Sequence, residues 1–262
     1  MRIRLDAELV RRGLARSREH AVDLIEARQV LVGGIPATKP ATQVNPETSI
    51  KLAGVRDDFV SRGGHKLAGA LDAFPDIKTE AKVCLDAGAS TGGFTDVLLK
   101  RGVAKVIAVD VGYGQLAWEL RSDPRVQVLD RTNVRHISPE IIGESVALIV
   151  ADLSFISLTM VIPALKSVST DETDYLVMVK PQFEVGREKL GAGGVVRDSQ
   201  LRKQAIVDVA NSAFELGLGC LGVCASPLPG PAGNVEYFLW LKAGAPLLSD
   251  AIIDAAIAKG PQ

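Results

Sequence analysis

The sequence lacks a run of about 18 consecutive apolar residues, the length a helix needs to cross a bilayer, so no membrane span is expected. Its N-terminus, MRIRLDAELV, has no apolar segment of the kind that directs secretion. Cysteine is scarce: Cys84, Cys220 and Cys224 are the three in 262 residues. An odd number, widely spaced and set in apolar runs, argues against a disulfide framework and for a reducing, cytoplasmic setting. The even spacing of Cys220 and Cys224 puts them on one face of a strand, which suits packing better than a metal site, and no metal is expected. Charge of one sign is missing as well. Thirty Lys/Arg against 31 Asp/Glu leave a net charge of −1, so the whole chain gives no sign of a polyanion partner. Internal repeats and low-complexity segments are also absent.

What is present is ample apolar material. At 262 residues and 47% hydrophobic composition, the chain can bury the core of one large domain, or of a medium domain with a small one. The charge is unevenly distributed: residues 1–60 hold ten Lys/Arg against eight Asp/Glu, and Arg11, Arg12, Arg16 and Arg18 lie within eight positions. RLDAELVRRG places Leu5, Leu9 and Val10 on one helical face, with Gly13 as a stop. Ser17 reads as the N-cap of a second helix carrying Ala21, Leu24 and Ile25. VLVGGIPA then predicts a hairpin turning at Gly33-Gly34, and a last strand is expected near Ile50–Leu52. This segment, RLDAELVRRGLARSREHAVDLIEARQVLVGG, resembles an S4-like RNA-binding domain. The resemblance implies that Arg4, Arg11, Arg12, Arg16 and Arg18 meet RNA phosphates, contacts that give affinity and position more than sequence choice.

Beyond residue 60 strand-like and helix-like runs alternate. Strands are expected at 82–86, 105–109, 126–129, 146–151, 174–180, 219–225 and 235–242, and helices at 92–101, 114–121, 156–167 and 199–216. Such alternation predicts an α/β fold with a doubly wound, mostly parallel seven-stranded sheet, here with a small N-terminal α+β domain. The expected boundaries are 1–54 for the small domain, 55–61 for a linker and 62–262 for the large domain.

The strongest chemical signal is KVCLDAGASTGGFTDVLLKRG, a strand that runs through a glycine loop into a helix. The spacing G-x-x-x-G-G is not the dinucleotide G-x-G-x-x-G, and no Lys-Ser/Thr pair follows to make a phosphate-binding P-loop. Asp86, Gly88, Ala89, Ser90, Thr91, Gly92 and Gly93 instead resemble the first motif of S-adenosylmethionine-dependent methyltransferases. Asp110 ends the next strand, where a carboxylate accepts hydrogen bonds from ribose hydroxyls, and Asp130 ends the third, within reach of an adenine amino group. These residues are the candidate cofactor site.

DYLVMVKPQFEVG ends a buried-looking strand in a lysine held before a proline. Ligands of open α/β sheets bind beyond the carboxyl ends of the strands, and Asp152 in ADLSF ends the strand before. Glu236 opens an expected antiparallel last strand, and Lys66 sits on the helix before the first. Lys66, Asp152, Lys180 and Glu236 resemble the catalytic tetrad of FtsJ-like ribose 2′-O-methyltransferases. A ribose hydroxyl is a weak nucleophile whose proton must be removed or polarised. Lys180 is the candidate base, Asp152 its orienting partner, and Lys66 and Glu236 position the sugar.

With VSRGGHKL, DVGYGQL, VKPQFEVG, GGVVRD and SPLPGPAGNVEYFLW, essentially the whole chain resembles the TlyA family. That resemblance implies S-adenosyl-L-methionine as cofactor and ribosomal RNA within ribosomal subunits as partner. It implies cytidine 2′-O-methylation of 23S and often 16S rRNA, and a link to sensitivity to capreomycin. One departure is the linker RDDFV, where Asp57 and Asp58 stand near a place the family often gives to arginine, with Phe59 in the aromatic position. The rival readings are a secreted hemolysin, a non-catalytic RNA-binding assembly factor, and a base methyltransferase. The last usually carries an Asn/Asp-Pro-Pro-aromatic motif that ADLSF lacks. Gly186 to Arg197 reads as a glycine-rich loop, either a cover over RNA or plain surface.

Overall fold

The computed structural model describes residues 3–15, 17–45, 48–53 and 59–260, and the chain divides into two compact units, residues 1–58 and 59–262. Arg16, Asp57 and Asp58 lie outside the described residues.

In the first unit the helices Leu5–Arg11 and Arg18–Glu26 pack with three short strands, Val30–Val32 lying between Ile35–Pro36 and Ile50–Leu52. Ser17 caps the second helix, its Oγ accepting the His20 N–H at 3.1 Å. Gly33 and Gly34 turn the hairpin with φ of +59° and +85°, the left-handed pair that a two-residue turn requires. Arg4, expected inside the first helix, is extended and pairs with Gln43, so the helix starts one residue later. Leu5, Leu9, Ala21, Ile25 and Val30 are fully buried and make the small core.

The second unit is built on seven strands: β1 (Val83–Ala87), β2 (Lys105–Val109), β3 (Val126–Leu129), β4 (Val146–Ala151), β5 (Ser169–Val179), β6 (Leu218–Ala225) and β7 (Tyr237–Ala243). Their order is β6-β7-β5-β4-β1-β2-β3, and every pairing is parallel except those of β7, which runs antiparallel to both β5 and β6. The chain starts in the middle and winds outward both ways, so a crevice opens between the ends of β1 and β4. The inner strands are apolar on both faces because helices cover both. Cys84, Val106, Leu148 and Met178 face α1 (Arg62–Ala73) and α2 (Gly93–Lys100); Leu85, Ile107, Ile149 and Val177 face the helices Ile162–Ser167 and Ser199–Glu215.

Several elements differ from expectation. The helix expected at 114–121 is reduced to Trp118–Arg121, and that at 156–167 is a single 3-10 turn followed by a helix whose first turn contains Pro163. A proline is tolerated there and not deeper, so the helix restarts at that point. β5 begins at Ser169, ahead of expectation, with an irregularity before Asp174. Helices Pro181–Glu184 and Asp250–Lys259 were not anticipated. Cys220 and Cys224 do not share a face: the β6 register shifts between Cys220 and Gly222, so the two thiols pack on opposite sides of the sheet. One extra residue inverts the alternation of a strand.

Candidate active site

The crevice holds the glycine loop. Gly88 follows β1 with φ +89°, and a Cβ there would lie 2.5 Å from the Asp152 carbonyl oxygen, so only glycine lets the loop pass the end of β4. Gly92 (φ +99°) forms the N-cap of α2, where a side chain would collide with Leu116 and Leu120. Asp110, at the tip of β2, ties the loop down: Oδ2 accepts the Ser90 N–H at 2.8 Å and Oδ1 the Gly112 N–H at 2.7 Å. Beside it lies a cavity of about 510 Å³ lined by Gly88, Ser90, Asp110, Gln115, Asn133 and Phe155, among others. That volume falls within the usual range for small-molecule sites, roughly 300–1,000 Å³.

Asp86 and Asp130 do not line this cavity. Asp130 accepts hydrogen bonds from Arg121 and from the Gly114 N–H, and it is Asn133 and Val134, a few residues further on, that reach the cavity wall. Asp86 is fully buried; its Oδ2 accepts the Thr95 hydroxyl proton at 2.6 Å and its Oδ1 has no partner among the described residues. Burial pushes this carboxyl up to about 7, and the nearby Asp152 and Asp110 add to the effect.

A second cavity, of about 270 Å³, adjoins the first and shares Gly88, Ser90, Asp152 and Ser154 with it. Lys66, Asp152 and Lys180 line it, with Pro229 and Pro231 opposite. The four tetrad candidates form two ion pairs: Lys180 Nζ lies 2.5 Å from Asp152 Oδ1, and Lys66 Nζ lies 2.5 Å from Glu236 Oε2. Lys180 also donates to Ser154 Oγ at 3.2 Å. Lys66, Lys180 and Glu236 are buried, and charges out of water hold only when paired and hydrogen-bonded. Glu236 Oε1 lies buried with no partner among the described residues, pressed against Gly230.

Two residues of the site, Phe155 and Asn234, were not anticipated, and Phe59, named from the resemblance, has contacts that were not. Phe155 is 90% exposed at the first cavity's wall, has φ +64°, and its ring lies 5.2 Å from that of Phe183. Asn234, two residues before Glu236, accepts the Val196 N–H at 2.9 Å and donates to the Gly194 carbonyl at 3.0 Å, fastening the glycine-rich segment to the loop that carries Glu236. Phe59 stands against His65 and under Lys100, while the Val60 N–H bonds Asp96 on α2 at 2.9 Å. The serine and asparagine contacts carry no sequence signal, whereas Phe155 is visible as an aromatic residue three positions after Asp152.

In the N-terminal unit two buried carboxylates gather the arginines. Asp6 accepts Arg4 and Arg18, and Glu8 accepts Arg11 and Arg12. Arg12 also donates to the Thr48 carbonyl at 2.8 Å, so it is tucked in, while Arg4, Arg11 and Arg18 keep about half of their side chains exposed. The guanidinium of Arg11 holds the Glu8 carboxyl well below its usual range.

A glycine loop at the switch point of such a sheet, beside a Lys–Asp and a Lys–Glu pair, suits a methyltransferase of the FtsJ-like class, and the chain belongs to that class. The FtsJ-like methyltransferase family matches residues 59–243 and the S4 domain matches residues 3–50. Within that class the chain belongs to the TlyA family. It is 57% identical to the 16S/23S rRNA (cytidine-2'-O)-methyltransferase TlyA of Mycobacterium tuberculosis across 99% of both chains. It is also 37% identical to a protein named Hemolysin A from Brachyspira hyodysenteriae, over 90% of this chain and 98% of that one. A solved structure named as a hemolysin of Streptococcus thermophilus superposes with a TM-score of 0.83 at 36% identity, covering 98% of this chain and 95% of that one. No helix among the described residues is long and apolar enough to cross a membrane.

Proposed function

We propose that this protein methylates the ribose 2′-hydroxyl of cytidine in 23S and 16S ribosomal RNA, using S-adenosyl-L-methionine. The observation that carries the reading is the junction of the two cavities, where the glycine loop meets two lysine–carboxylate pairs. The larger cavity fits a nucleoside-bearing cofactor: Asp110 presents carboxylate oxygens to a ribose diol, and Asn133 an amide to the base. When bound, S-adenosylmethionine supplies an electrophilic methyl on a sulfonium and retains the C–S bonding pair as the methyl leaves.

The smaller cavity receives the target ribose. A neutral amine has two N–H groups and one lone pair. To act as a base, Lys180 first releases the proton of its ion pair to solvent; with Asp152 and Ser154 then accepting the two N–H groups of the neutral amine, its lone pair is left for the hydroxyl proton. As the O2′–H bond breaks, Lys180 takes the proton and the oxygen bonds the methyl carbon. Lys66, fixed by Glu236, directs its remaining N–H groups at the sugar oxygens and places them where negative charge develops. Holding both reactants at the junction supplies much of the rate. The exposed Phe155 ring offers a base an apolar face at the entrance, and Arg4, Arg11 and Arg18 offer exposed guanidinium groups to RNA phosphates. This reading places the enzyme in the cytoplasm with the ribosomal subunits.

The test is transfer of labelled methyl from S-adenosylmethionine to separated, unmodified ribosomal subunits. Label on a cytidine ribose with the wild type, lost with Lys180→Ala, is the expected result, and the labelled subunit defines the target range. No label on either subunit from protein shown to bind the cofactor overturns the proposal.

A further inference from the structure

The segment that carries Asp152 and the segment that carries Lys180 are cross-linked at their far ends by a carboxylate outside both cavities. Lys180 is the N-cap of the single-turn helix Pro181–Glu184. At the other end of that turn Glu184 reaches across to the loop after β4. Its Oε2 accepts the Ser157 hydroxyl proton at 2.5 Å and its Oε1 the Leu158 N–H at 3.0 Å. Ser157 in turn caps the 3-10 turn Leu158–Met160 through the Thr159 N–H. We infer that Glu184 is a positioning residue for methyl transfer, clamping the 152–158 segment against the 180–184 segment so that Asp152 and Ser154 meet Lys180.

Three observations support the clamp. Four polar or ring contacts join the two segments: Lys180 with Asp152, Lys180 with Ser154, Phe155 with Phe183, and Glu184 with Ser157 and Leu158. The first three face the cavities or the solvent around them, where substrate and water compete for the same groups. Only Glu184 makes its contacts away from that competition. Secondly, Phe155 in the middle of the clamped loop has φ +64°, a conformation disfavoured for a bulky residue that persists only where its surroundings impose it. Asp152 N–H bonded to the Ala87 carbonyl at 3.1 Å holds one end of the loop, and the Glu184 bonds hold the other. Thirdly, the carboxylate makes two hydrogen bonds and pairs with no lysine or arginine among the described residues, so its role is geometric rather than charge-compensating.

The inference rests on the ribose-methylation reading, and one experiment separates the two. Wild type, Glu184→Ala, Glu184→Gln, Ser157→Ala and Ser157→Ala/Glu184→Ala are compared for methyl transfer to ribosomal subunits, for S-adenosylmethionine binding by calorimetry, and for Tm. Glu184→Ala is expected to lower kcat about 100-fold, the order of loss that a displacement near 1 Å causes, with KM for RNA and cofactor Kd unchanged. Glu184→Gln, which retains an acceptor for the Leu158 N–H, recovers most of that loss. The double variant falls no further than Glu184→Ala alone, because both changes open one contact. A wild type that transfers no label overturns the ribose-methylation reading and this inference with it. Active wild type with undiminished kcat in Glu184→Ala overturns the clamp alone. So does a loss in which kcat, cofactor affinity and Tm decline together with no recovery in Glu184→Gln.

Discussion

At the scale of single residues, the site is a set of charges withdrawn from water, and each makes a distinct prediction. Asp86 has its carboxyl raised by burial from 3.8 to about 7. Between those values the folded protein holds a proton that the unfolded chain releases, so stability is fullest below about pH 4 and declines as pH rises to about 7. The decline amounts to about 4 kcal/mol at 1.36 kcal/mol per unit. Asp86→Asn keeps an acceptor for the Thr95 hydroxyl and abolishes the decline, so Tm of the variant relative to wild type climbs between pH 5 and pH 8. Parallel Tm curves over that range count against this account. Breaking the other buried pair leaves an ammonium alone: Glu236→Ala is expected to cost about 3–5 kcal/mol of stability, read by denaturant unfolding, and to abolish methyl transfer. The resemblance to the FtsJ-like tetrad suggests Lys66, Asp152, Lys180 and Glu236 as a group. Their division into Lys66–Glu236 and Lys180–Asp152 is not legible in sequence, since it depends on which strand lies next to which.

At the scale of elements, sequence reading is most faithful where burial is two-sided. β2 and β4 lie where their apolar runs place them, because helices cover both faces and no polar alternation blurs the ends. It is least faithful where a local bond overrides periodicity. The 114–121 segment has helical composition, yet the chain leaves β2 through a turn fixed by Asp110 and only Trp118–Arg121 coils. A shift of register in β6 is likewise invisible, since nothing in LGCLGVCA marks the extra residue. The glycine loop gives a prediction at this scale. Gly88→Ala must accommodate a side chain against the Asp152 backbone at φ +89°, a strain of about 1–3 kcal/mol. Calorimetry is expected to show cofactor affinity at least tenfold weaker, while the fold persists by circular dichroism.

For the whole molecule, the two units divide labour in the proposed reaction: one binds RNA backbone and the other carries the chemistry. Arg18→Ala, on the arginine that Asp6 holds, is expected to weaken RNA binding evenly across sequences. The dependence of log K on log salt becomes shallower by about 1, while cofactor affinity stays as in wild type. On the proposed function, ribosomal subunits from a bacterium deprived of the activity are expected to accept labelled methyl from the purified protein, and those from a strain carrying Lys180→Ala to behave like those of the deletion. The parts of this scheme legible in sequence were the two units and the glycine loop. The coupling of Glu184 and Asn234 to their distant loops was not, because those bonds join loops that only the finished sheet brings together.

The separation of Lys66 from Glu236, 170 positions along the chain, has a consequence in time. Synthesis proceeds from the N-terminus, so the wall of the larger cavity, whose last lining residue is Val161, is fully translated long before Glu236 emerges. Until then Lys66 has no counter-ion and β5 lacks the strand that separates it from β6. A chain still being translated therefore carries every residue that lines the larger cavity before it carries the counter-ion of Lys66. On the proposed reading, the activity waits for Glu236 and the antiparallel β7, among the last parts of the chain to be made.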